Sequence, residues 1–385
     1  MNGLDQFPRR CWAEIDLAAL ERNLNAIKNA LPPRIRYIAV VKADAYGHGM
    51  HQTVARLMQA GIDMYGVANV AEAATIREIG GSGWSILILG ATLREEAQFL
   101  FEYDLIPTLS SVEEVRFLDD LAEKRDANLR VHIKVDTGMG RLGIWHEDAD
   151  ELFEAMRTAK RLKLDGIYTH FSHAETDVEF TERQRRRFMT AITRVNWINP
   201  AELLIHADNS AGLTSFSRES AYNAVRIGLL QFGITPYAQS LFAKVPTNPI
   251  FSFKTRISLV KRLPAGTEVS YGRTCRLKRE SRVAILCAGY GDGIPRSLSN
   301  KGFALIQGKR CPYLGRVTMD QTIIDVTDLE VSPQAGDEAC LIGFQDGGEI
   351  KVEQFARWAG TISWEILCSI TKRVPRIYKT SIATG

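Results

Sequence analysis

Residues 37–49 read YIAVVKADAYGHG, so that five mainly apolar residues run into Lys42 and a polar loop with two glycines follows. The run Tyr37–Val41 has the length and composition of a buried strand. Helical spacing of apolar residues returns over residues 51–60. A buried strand, a short loop and a helix are the unit from which parallel α/β folds are built. This stretch therefore predicts one β/α unit, with a lysine at the end of its strand.

The same alternation extends on both sides of this unit. Upstream, Asp16 precedes a helical pattern over residues 17–31, which ends at two prolines. Downstream, helical patterns separate most of the short apolar runs, which are Met64–Ala68, Ser85–Leu89, Ile106–Thr108, Arg130–Val135, Leu164–Tyr168, Leu203–Ala207 and Ala224–Ile227. About eight strands in roughly 230 residues favour a (β/α)8 TIM-type barrel. Periodicity alone leaves a doubly wound parallel sheet as the alternative.

Beyond Pro246 the pattern changes to short strands separated by Gly, Pro and Asp turns. The predicted strands are Phe251–Val260, Arg282–Ala288, Gly302–Ile306, Thr322–Val326 and Glu338–Ile342, with one clear helix around Val352–Ala359. This is typical of an antiparallel β domain. We therefore expect an α/β plus β fold, with a barrel over residues 12–245 and a β domain over residues 246–385, which residues 1–11 join.

Composition limits the class of protein. The chain has 385 residues, 45% of them hydrophobic, and 48 basic against 45 acidic side chains give a net charge of +3. Two soluble domains are expected, and nucleic acid is a poor candidate partner. No apolar run approaches the roughly 18 to 20 residues of a membrane span. Met1–Cys11 carries no signal core, and the six cysteines form no CxxC pair. We expect a cytoplasmic protein without a metal site.

Lys42 occupies the position at which barrel enzymes place their chemistry, directly after a strand. Partial burial there lowers the pKa of a lysine below its usual value of about 10.4 and exposes the free amine that Schiff-base chemistry requires. A lysine taken alone is more often an ordinary surface residue. The interpretation of Lys42 therefore depends on the rest of the sequence.

Eight segments in the same order resemble those of the alanine racemases, and the resemblance extends over nearly the whole chain, from about Trp12 to Tyr378. They are VVKADAYGHG (40–49), VDTGMGRLG (135–143), THFSHA (169–174), ADNSAG (207–212), VRIGLLQFGITPY (225–237), VSYGRT (269–274), GRVTMDQ (315–321) and KRVPRIY (372–378). The resemblance implies a pyridoxal 5′-phosphate (PLP) enzyme that interconverts L- and D-alanine and supplies D-alanine for peptidoglycan precursors.

The resemblance also implies roles for individual residues. Lys42 would carry PLP as a Schiff base and serve as the base on one face of the substrate Cα, with Tyr271 as the base on the other. His170 would be the partner of Tyr271. Arg226 would lie behind His170 and face the pyridine nitrogen of PLP. Because a guanidinium does not give up its proton, that nitrogen would stay unprotonated and the ring would be a weaker electron sink.

Further positions match the family's binding residues. The resemblance assigns cofactor contacts to Tyr46, His170, Asn209, Ser210, Gly228, Leu229 and Trp364, and substrate contacts to Arg141, Tyr271, Met319 and Asp320. Lys134 matches a lysine that is carbamylated in many members, and a plain ion pair is the alternative for it. Lys42 and Tyr271 belong to different domains. The resemblance therefore implies a homodimer in which the β domain of one chain closes the barrel mouth of the other.

The chain departs from the family pattern at three positions. Trp364 stands where tyrosine is common, so that an indole N–H replaces a phenol near the PLP phosphate. Gly291 stands where alanine is usual, and Thr318 where Cys or Ser is frequent. Trp364 keeps open a broader racemase that acts on serine or lysine.

Three other interpretations are weaker. Residues 138–143 fit GxGxxG, and Asp165 follows about twenty residues later, as in a dinucleotide-binding unit. That interpretation leaves the lysine segment unexplained. A non-catalytic PLP carrier would lack the β domain. A PLP decarboxylase of the same architecture would need a Cys and an Asp supplied by the partner chain, where this sequence offers Tyr271 and the pair Met319–Asp320.

Overall fold

The computed structural model describes residues 8–174, 177–207, 222–234 and 245–380. The chain divides into two compact units. The barrel unit comprises residues 19–45 and 50–248, and the β unit comprises residues 1–18, 46–49 and 249–385. Strands and helices are numbered below along the whole chain.

The β unit is built on an N-terminal strand, β1 (Cys11–Asp16), which lies between a strand that follows the barrel and the last strand of the chain. β1 pairs antiparallel with β11 (Phe251–Leu263) and parallel with β20 (Arg376–Lys379). Ala13 is opposite Phe253 on one side and Arg376 on the other. The described chain thus starts in the β unit and passes into the barrel unit after Ala18.

Eight parallel strands form the barrel: β2 (Arg36–Val40), β3 (Met64–Val67), β4 (Ser85–Ile88), β5 (Thr108–Leu109), β6 (Leu129–Asp136), β8 (Leu162–Tyr168), β9 (Leu204–His206) and β10 (Ala224–Ile227). They pair in the orders β10-β2-β3-β4 and β5-β6-β8-β9. A parallel bridge between Leu87 and Ile106 joins the two runs, and the Asn223 N–H donates to the Ile205 carbonyl at 3.0 Å where they meet again. The predicted barrel is confirmed, and the open sheet is wrong.

Amphipathic helices alternate with these strands: α1 (Leu17–Ala30), α3 (Met50–Gln59), α4 (Val70–Gly80), α5 (Ala97–Glu102), α6 (Val112–Lys124), α7 (Ala149–Thr158) and α8 (Val178–Thr193). In α1 the spacing of Leu20, Leu24 and Ile27 places all three on one fully buried face. A short strand, β7 (Ile144–Trp145), pairs in parallel with the end of β6. Among the described helices, none is long and apolar enough to cross a bilayer.

The segment after β2 has an unusual backbone. α2 (Lys42–Tyr46) is a left-handed helical turn, in which four consecutive non-glycine residues, Ala43 to Tyr46, have φ between 53° and 55°. Each such residue costs about 1 kcal/mol relative to right-handed backbone. Two carboxylates compensate in part: Glu72 accepts from the Ala43 N–H and Asp44 accepts from the Met50 N–H, both at 2.7 Å. The loop predicted after Lys42 is therefore a tightly held turn.

The remaining strands of the β unit are β12 (Glu268–Val269), β13 (Cys275–Arg276), β14 (Ser281–Leu286), β15 (Phe303–Ile306), β16 (Lys309–Pro312), β17 (Thr322–Asp325), β18 (Glu338–Gln345) and β19 (Gly348–Ile350). The main sheet has the order β16-β15-β18-β11-β1-β20, and β14 and β17 continue from β11. All its pairs except β1–β20 are antiparallel. The predicted antiparallel β domain is confirmed.

Two helices, not one, follow these strands. α9 (Val352–Ala359) begins and ends where the sequence predicts it. α10 (Ser363–Ser369) was not expected, because seven residues are too few to show a clear helical period. Ile366 and Leu367 are its buried apolar residues.

Candidate active site

Several of the predicted site residues lie at or just beyond the carboxyl ends of the barrel strands. Lys42 follows β2. Lys134 lies on β6, two residues before Asp136, the last residue of that strand. His170 is the second residue after β8. Arg226 is the third residue of β10. β6, β8 and β9 lie side by side, and the Asn223–Ile205 bond brings β10 next to β9, so that side chains far apart in sequence meet at one edge of the barrel.

Arg226 is the centre of this cluster and is only 4% exposed. Its Nη2 donates to the carbonyls of Thr169 and Ala207, both at 2.9 Å. The same nitrogen lies 3.2 Å from His170 Nδ1, and Nη1 lies 2.6 Å from His206 Nδ1. Because a guanidinium can only donate, Nδ1 of both histidines must be the acceptor. One arginine thus fixes the protonation pattern of two imidazoles.

Both histidines are neutral at physiological pH. Burial, followed by the charge of Arg226, holds the pKa of His170 and that of His206 well below the usual value for histidine. Lys134, Arg141 and Lys42 add to the effect on His170. Since Nδ1 of His170 accepts a hydrogen bond, its single proton is on Nε2. His170 is therefore a neutral donor through Nε2.

Lys134 shares this positive environment and is 3% exposed. Its ammonium lies 5.5 Å from the centre of the Tyr168 ring. Burial and the charges of Arg226 and Arg141 lower the pKa of Lys134 to about 8, and Asp136 opposes the shift. Among the described residues, no carboxylate lies within 4.0 Å of the Lys134 ammonium. About a tenth of such an amine is uncharged at pH 7.

The glycine-rich loop after β6 is folded around Asp136. The Oδ1 atom of Asp136 accepts from the N–H groups of Gly138, Met139 and Gly140 at 2.9, 2.9 and 3.2 Å. Gly138, Gly140 and Gly143 have φ of 136°, 69° and 111°, which favour glycine. The glycines of the GxGxxG match therefore shape this turn and present Arg141 on an exposed surface. The dinucleotide-binding interpretation is wrong.

The predicted phosphate contacts are only partly covered by the structure. Gly228 follows β10 with φ −113° and ψ −92° and precedes a short 3-10 helix, Leu229–Phe232. Tyr46 ends the left-handed turn. Asn209 and Ser210 lie outside the described residues. Trp364 is half-buried, at the second position of α10.

The predicted substrate-binding residues of the β unit are exposed. Tyr271 begins a 3-10 turn, Tyr271–Arg273, and 71% of its surface is accessible. Its neighbours Ser270 and Gly272 have φ of 64° and 69°, so that the backbone turns sharply on both sides. Met319 is 54% exposed. A tyrosine and a methionine that exposed in one chain form a surface that a partner can cover.

Arg373 holds the Met319–Asp320 segment. Its Nε and Nη2 atoms donate to the two carboxylate oxygens of Asp292, both at 2.9 Å, and Nη1 donates to Asp320 at 2.7 Å. Asp292 and Asp320 raise the pKa of Arg373 above its usual value. A Cβ at Gly291 would lie 2.9 Å from Arg373 Nη2 and 3.0 Å from the Met319 carbonyl oxygen. A side chain at this position would therefore require Arg373 or the Met319 backbone to shift.

Sequence reasoning missed four residues of these networks: His132, His206, Asp292 and Arg373. Two of them had sequence signals nearby, since Asp292 directly follows Gly291, where the chain departs from the family pattern, and Arg373 lies in the segment KRVPRIY. His132 and His206 lie in the middle and at the end of apolar strands, and both are fully buried. A histidine within a predicted strand near its carboxyl end was the available signal.

Comparison with known proteins places these features in a family. Models of the alanine racemase N-terminal and C-terminal domains match residues 15–236 and 250–378. Alanine racemase of Halothermothrix orenii is 40% identical over 375 residues, which are 97% of this chain and 98% of that protein. The structure of alanine racemase from Bacillus anthracis with bound L-Ala-P has a TM-score of 0.87 at 32% identity and covers 97% of this chain and 96% of that one.

A third similar protein is alanine racemase from Bartonella henselae with covalently bound pyridoxal phosphate. Its TM-score is 0.87 at 28% identity, over 97% of this chain and all (100%) of that one. The two domain models together account for most of the described chain, in the order that the eight sequence segments predict. The predicted resemblance is confirmed: the chain belongs to the alanine racemase family.

Proposed function

We propose that this protein is a PLP-dependent alanine racemase that interconverts L- and D-alanine with Lys42 and Tyr271 as bases on opposite faces of the substrate Cα. The observation that carries the proposal is the buried Arg226, which donates to two neutral histidines at the barrel edge that also holds Lys42. An arginine in that place distinguishes a site for moving protons from one that also transfers amino groups.

The charge of the site fits PLP. Four cationic groups, Lys42, Lys134, Arg141 and Arg226, act together on the imidazole of His170. Asp136 is the carboxylate that opposes them at Lys134. PLP brings a phosphate and a phenolate, and an amino-acid substrate brings a carboxylate. An anionic ligand of this kind relieves the repulsion among these four cations.

Lys42 and Tyr271 would carry out the proton transfers on the two faces of the substrate Cα. Bound PLP withdraws electrons from the substrate Cα and so acidifies its proton. Lys42 Nζ holds the cofactor in the resting protein and takes or returns a proton on one face. Tyr271 Oη does so on the other face, supported by the Nε2–H of His170. Lowering a phenol from its usual pKa of about 10 to 7 requires roughly 4 kcal/mol.

Binding roles follow from position. Tyr46, the backbone N–H groups of Gly228 and Leu229, Asn209, Ser210 and Trp364 would hold the phosphate. Arg141, Met319 and Asp320 would bind the substrate, with Asp320 oriented by Arg373. Arg226 would face the pyridine nitrogen and, because it keeps its proton, leave that nitrogen unprotonated. Replacing Arg226 with Glu would then increase the transamination side product.

Lys134 would be carbamylated. Its pKa of about 8 gives an uncharged amine that can add CO2, and the resulting carbamate would be an anion beside Arg141. The alternative ion pair finds no carboxylate close enough among the residues described. Uptake of carbon-13-labelled bicarbonate, read as a carbamate resonance that Lys134→Met abolishes, tests this. A spectrum without that resonance would favour the plain lysine.

We further propose a cytoplasmic homodimer whose sites are shared, with Lys42 from one chain and Tyr271, Met319 and Asp320 from the other. The exposure of Tyr271 and Met319 supports this, because a base that abstracts a Cα proton has to be shielded from water. Mixing Lys42→Ala and Tyr271→Ala chains would restore activity after subunit exchange. Mass spectrometry would show that mixed dimers have formed. If they form and no activity is recovered, each site lies within one chain.

The broader racemase is a second candidate because Trp364 replaces a tyrosine in a half-buried position. One experiment addresses both: a racemisation assay over a panel of L-amino acids, with and without added PLP. Alanine far ahead of serine and lysine, with activity dependent on PLP, is the expected result. Equal rates for serine or lysine would favour the broader enzyme, and no racemisation of any amino acid would refute both. The D-alanine formed would serve as a peptidoglycan precursor.

A further inference from the structure

Arg226 is connected to a carboxylate on the far side of two buried histidines. His206 Nε2 lies 3.1 Å from His132 Nδ1, and His132 Nε2 lies 3.7 Å from the carboxylate of Asp165. Together with the contact of 2.6 Å between Arg226 and His206, these form the relay Arg226–His206–His132–Asp165. Among the described residues, His132 Nε2 has no hydrogen-bond partner within 3.5 Å, and the carboxylate of Asp165 is the acceptor that faces it, at ion-pair distance. Asp165 is 28% exposed, so that the relay runs from a buried cation to a partly solvated anion.

The chemistry of its two ends gives the relay one direction. Arg226 can only donate, so His206 accepts at Nδ1 and carries its proton on Nε2. That proton is donated to His132 Nδ1, which leaves the His132 proton on Nε2, facing Asp165. A carboxylate can only accept. Every donor therefore points away from Arg226 and towards Asp165, and the hydrogen bonds polarise one another in the same sense.

Two features of the backbone allow the contact between His132 and Asp165. β6 and β8 pair in register up to Val131 and Leu164, but His132 then pairs with Gly166, so that Asp165 is an extra residue in β8. A bulge of this kind redirects a side chain. Gly166 has no side chain to occupy the space of the imidazole, because a Cβ there would lie 2.5 Å from His132 Cε1 and 2.7 Å from its Nδ1.

Packing holds the middle of the relay in place. The ring of Tyr168 stacks on His206 with 4.7 Å between ring centres and 9° between planes, and the Arg226 guanidinium lies 5.1 Å from the centre of the same ring. The Tyr168 hydroxyl is fixed in turn by Thr108 at 2.9 Å. His132 and His206 are fully buried. The imidazoles therefore have little freedom to turn away from Arg226.

We infer that Asp165 is a positioning residue for Arg226, acting through His132 and His206. Its negative charge strengthens each hydrogen bond of the relay and holds the guanidinium in one orientation against the repulsion of the other cations of the site. The inference rests on the role proposed above for Arg226. In alanine racemisation, Asp165 would thereby favour proton transfer over transamination. It would do so through Arg226, without contacting substrate or cofactor itself.

The test uses the full-length chain labelled with nitrogen-15 in its histidines. In the PLP-free protein, we expect His206 and His132 each to carry one proton, on Nε2. Asp165→Leu should raise the exchange rate of the His206 imidazole proton at least about ten-fold, because a polarised hydrogen bond has been weakened. Asp165→Asn keeps an acceptor oxygen but no charge, so its exchange rate should lie between those of the wild type and Asp165→Leu. Asp104→Asn removes an exposed carboxylate that contacts Arg130 and should leave the rate unchanged.

The second readout is the number of racemisation turnovers per transamination event in the PLP-loaded protein. We expect a fall of at least about five-fold in Asp165→Leu with little change in KM, because binding does not depend on Asp165. A proton on Nδ1 of His206 or His132 in the wild type would overturn the relay. An unchanged exchange rate in both Asp165 variants would do the same. Faster exchange with an unchanged turnover ratio would overturn the effect on Arg226.

The two readouts separate this inference from the proposed function. If the wild type racemises no amino acid, the proposed function fails, while the exchange measurement still reports on the relay. If Asp165→Leu does not fold, Asp165→Asn keeps the volume and the acceptor and gives the same comparison with Asp104→Asn. Equal exchange rates in those two variants would then refute the role of Asp165.

Discussion

The barrel unit and the β unit prepare their site residues in opposite ways. In the barrel unit, Arg226 and Lys134 are almost completely buried, and their charges help to lower the pKa of His170, which is neutral. In the β unit, Tyr271 and Met319 are largely exposed. The barrel half is thus electrostatically organised within the described chain. In the β half, the proposed base Tyr271 remains open to solvent in the described chain.

This contrast has an energetic side. Burying like charges together destabilises the folded barrel unit, and the lowered pKa of Lys134 measures part of that cost. The β unit uses ion pairs instead, since Arg373 is neutralised by Asp292 and Asp320. Substitutions of the buried cations of the barrel unit should therefore lower activity and raise stability. Substitutions in the ion pairs of the β unit should change substrate binding.

The largest effect is expected at Lys42. Lys42→Ala removes the cofactor's covalent anchor and one base together, and the racemase activity should fall by roughly 10⁴-fold or more. Borohydride treatment, peptide digestion and mass spectrometry should find PLP on the Lys42 peptide of the wild type. Lys163→Ala, an exposed lysine on β8, is the matched control and should keep full activity. Trapped PLP on another lysine would contradict the assignment.

A smaller, one-sided effect is expected at Tyr271. Tyr271→Phe removes one of two bases and should lower activity by about 10²- to 10⁴-fold. Exchange of the Cα proton with deuterated water should be slowed much more from one enantiomer of alanine than from the other, because Lys42 still serves its own face. Tyr290→Phe, another exposed tyrosine of the β unit, should affect the two enantiomers equally. Equal slowing in Tyr271→Phe would argue against two bases.

At Arg373 the effect should be on binding. Arg373→Gln breaks the paired contact with Asp292 and releases Asp320, so that KM for alanine should rise about five- to ten-fold with kcat little changed. Steady-state kinetics in both directions measure this. Arg279→Gln, which breaks the exposed pair with Asp328, is the control. A change confined to kcat would place Arg373 in another role.

The smallest effect is a gain in stability at Lys134. Lys134→Met removes a buried cation and should raise the free energy of unfolding by roughly 1–2 kcal/mol at pH 7 in PLP-free protein and CO2-free buffer. Between pH 8 and about 10.4 the unfolded lysine holds a proton that the folded one has lost, so wild-type stability rises with pH there. The advantage of Lys134→Met should be full below pH 8 and shrink above it, in urea unfolding. A pH-independent difference would contradict the lowered pKa.

Much of the fold could be read from the sequence because each barrel strand is a short apolar run between helical patterns. The barrel strand Ala224–Ile227 and the helix Val352–Ala359 have the predicted bounds. The left-handed turn after Lys42 could not be predicted, since Ala43 and Ala45 have no local preference for positive φ. That conformation depends on carboxylates such as Glu72, which tertiary structure brings to the turn.

For the site, the eight motifs identified residues that lie together, such as His170 and Arg226. They did not identify His132, His206 or Asp165, which lie inside strands where a polar residue resembles any other interruption of an apolar run. Whether two strand residues face each other depends on register. The bulge at Asp165, which shifts that register by one residue, has no signal in the local sequence.

The position of β1 has a consequence for the synthesis of the chain. β1 ends at Asp16, but its two neighbours, β11 and β20, begin at Phe251 and end at Lys379. At about 5–20 residues per second, a ribosome needs roughly 20 to 70 s to travel from the end of β1 to the end of β20. β1 leaves the exit tunnel before the barrel strands, and it has two open edges until β11 has been made and one open edge after that. β1 therefore keeps one edge unpaired until β20 has been made, so a ribosome that stalls before Lys379 leaves this sheet incomplete.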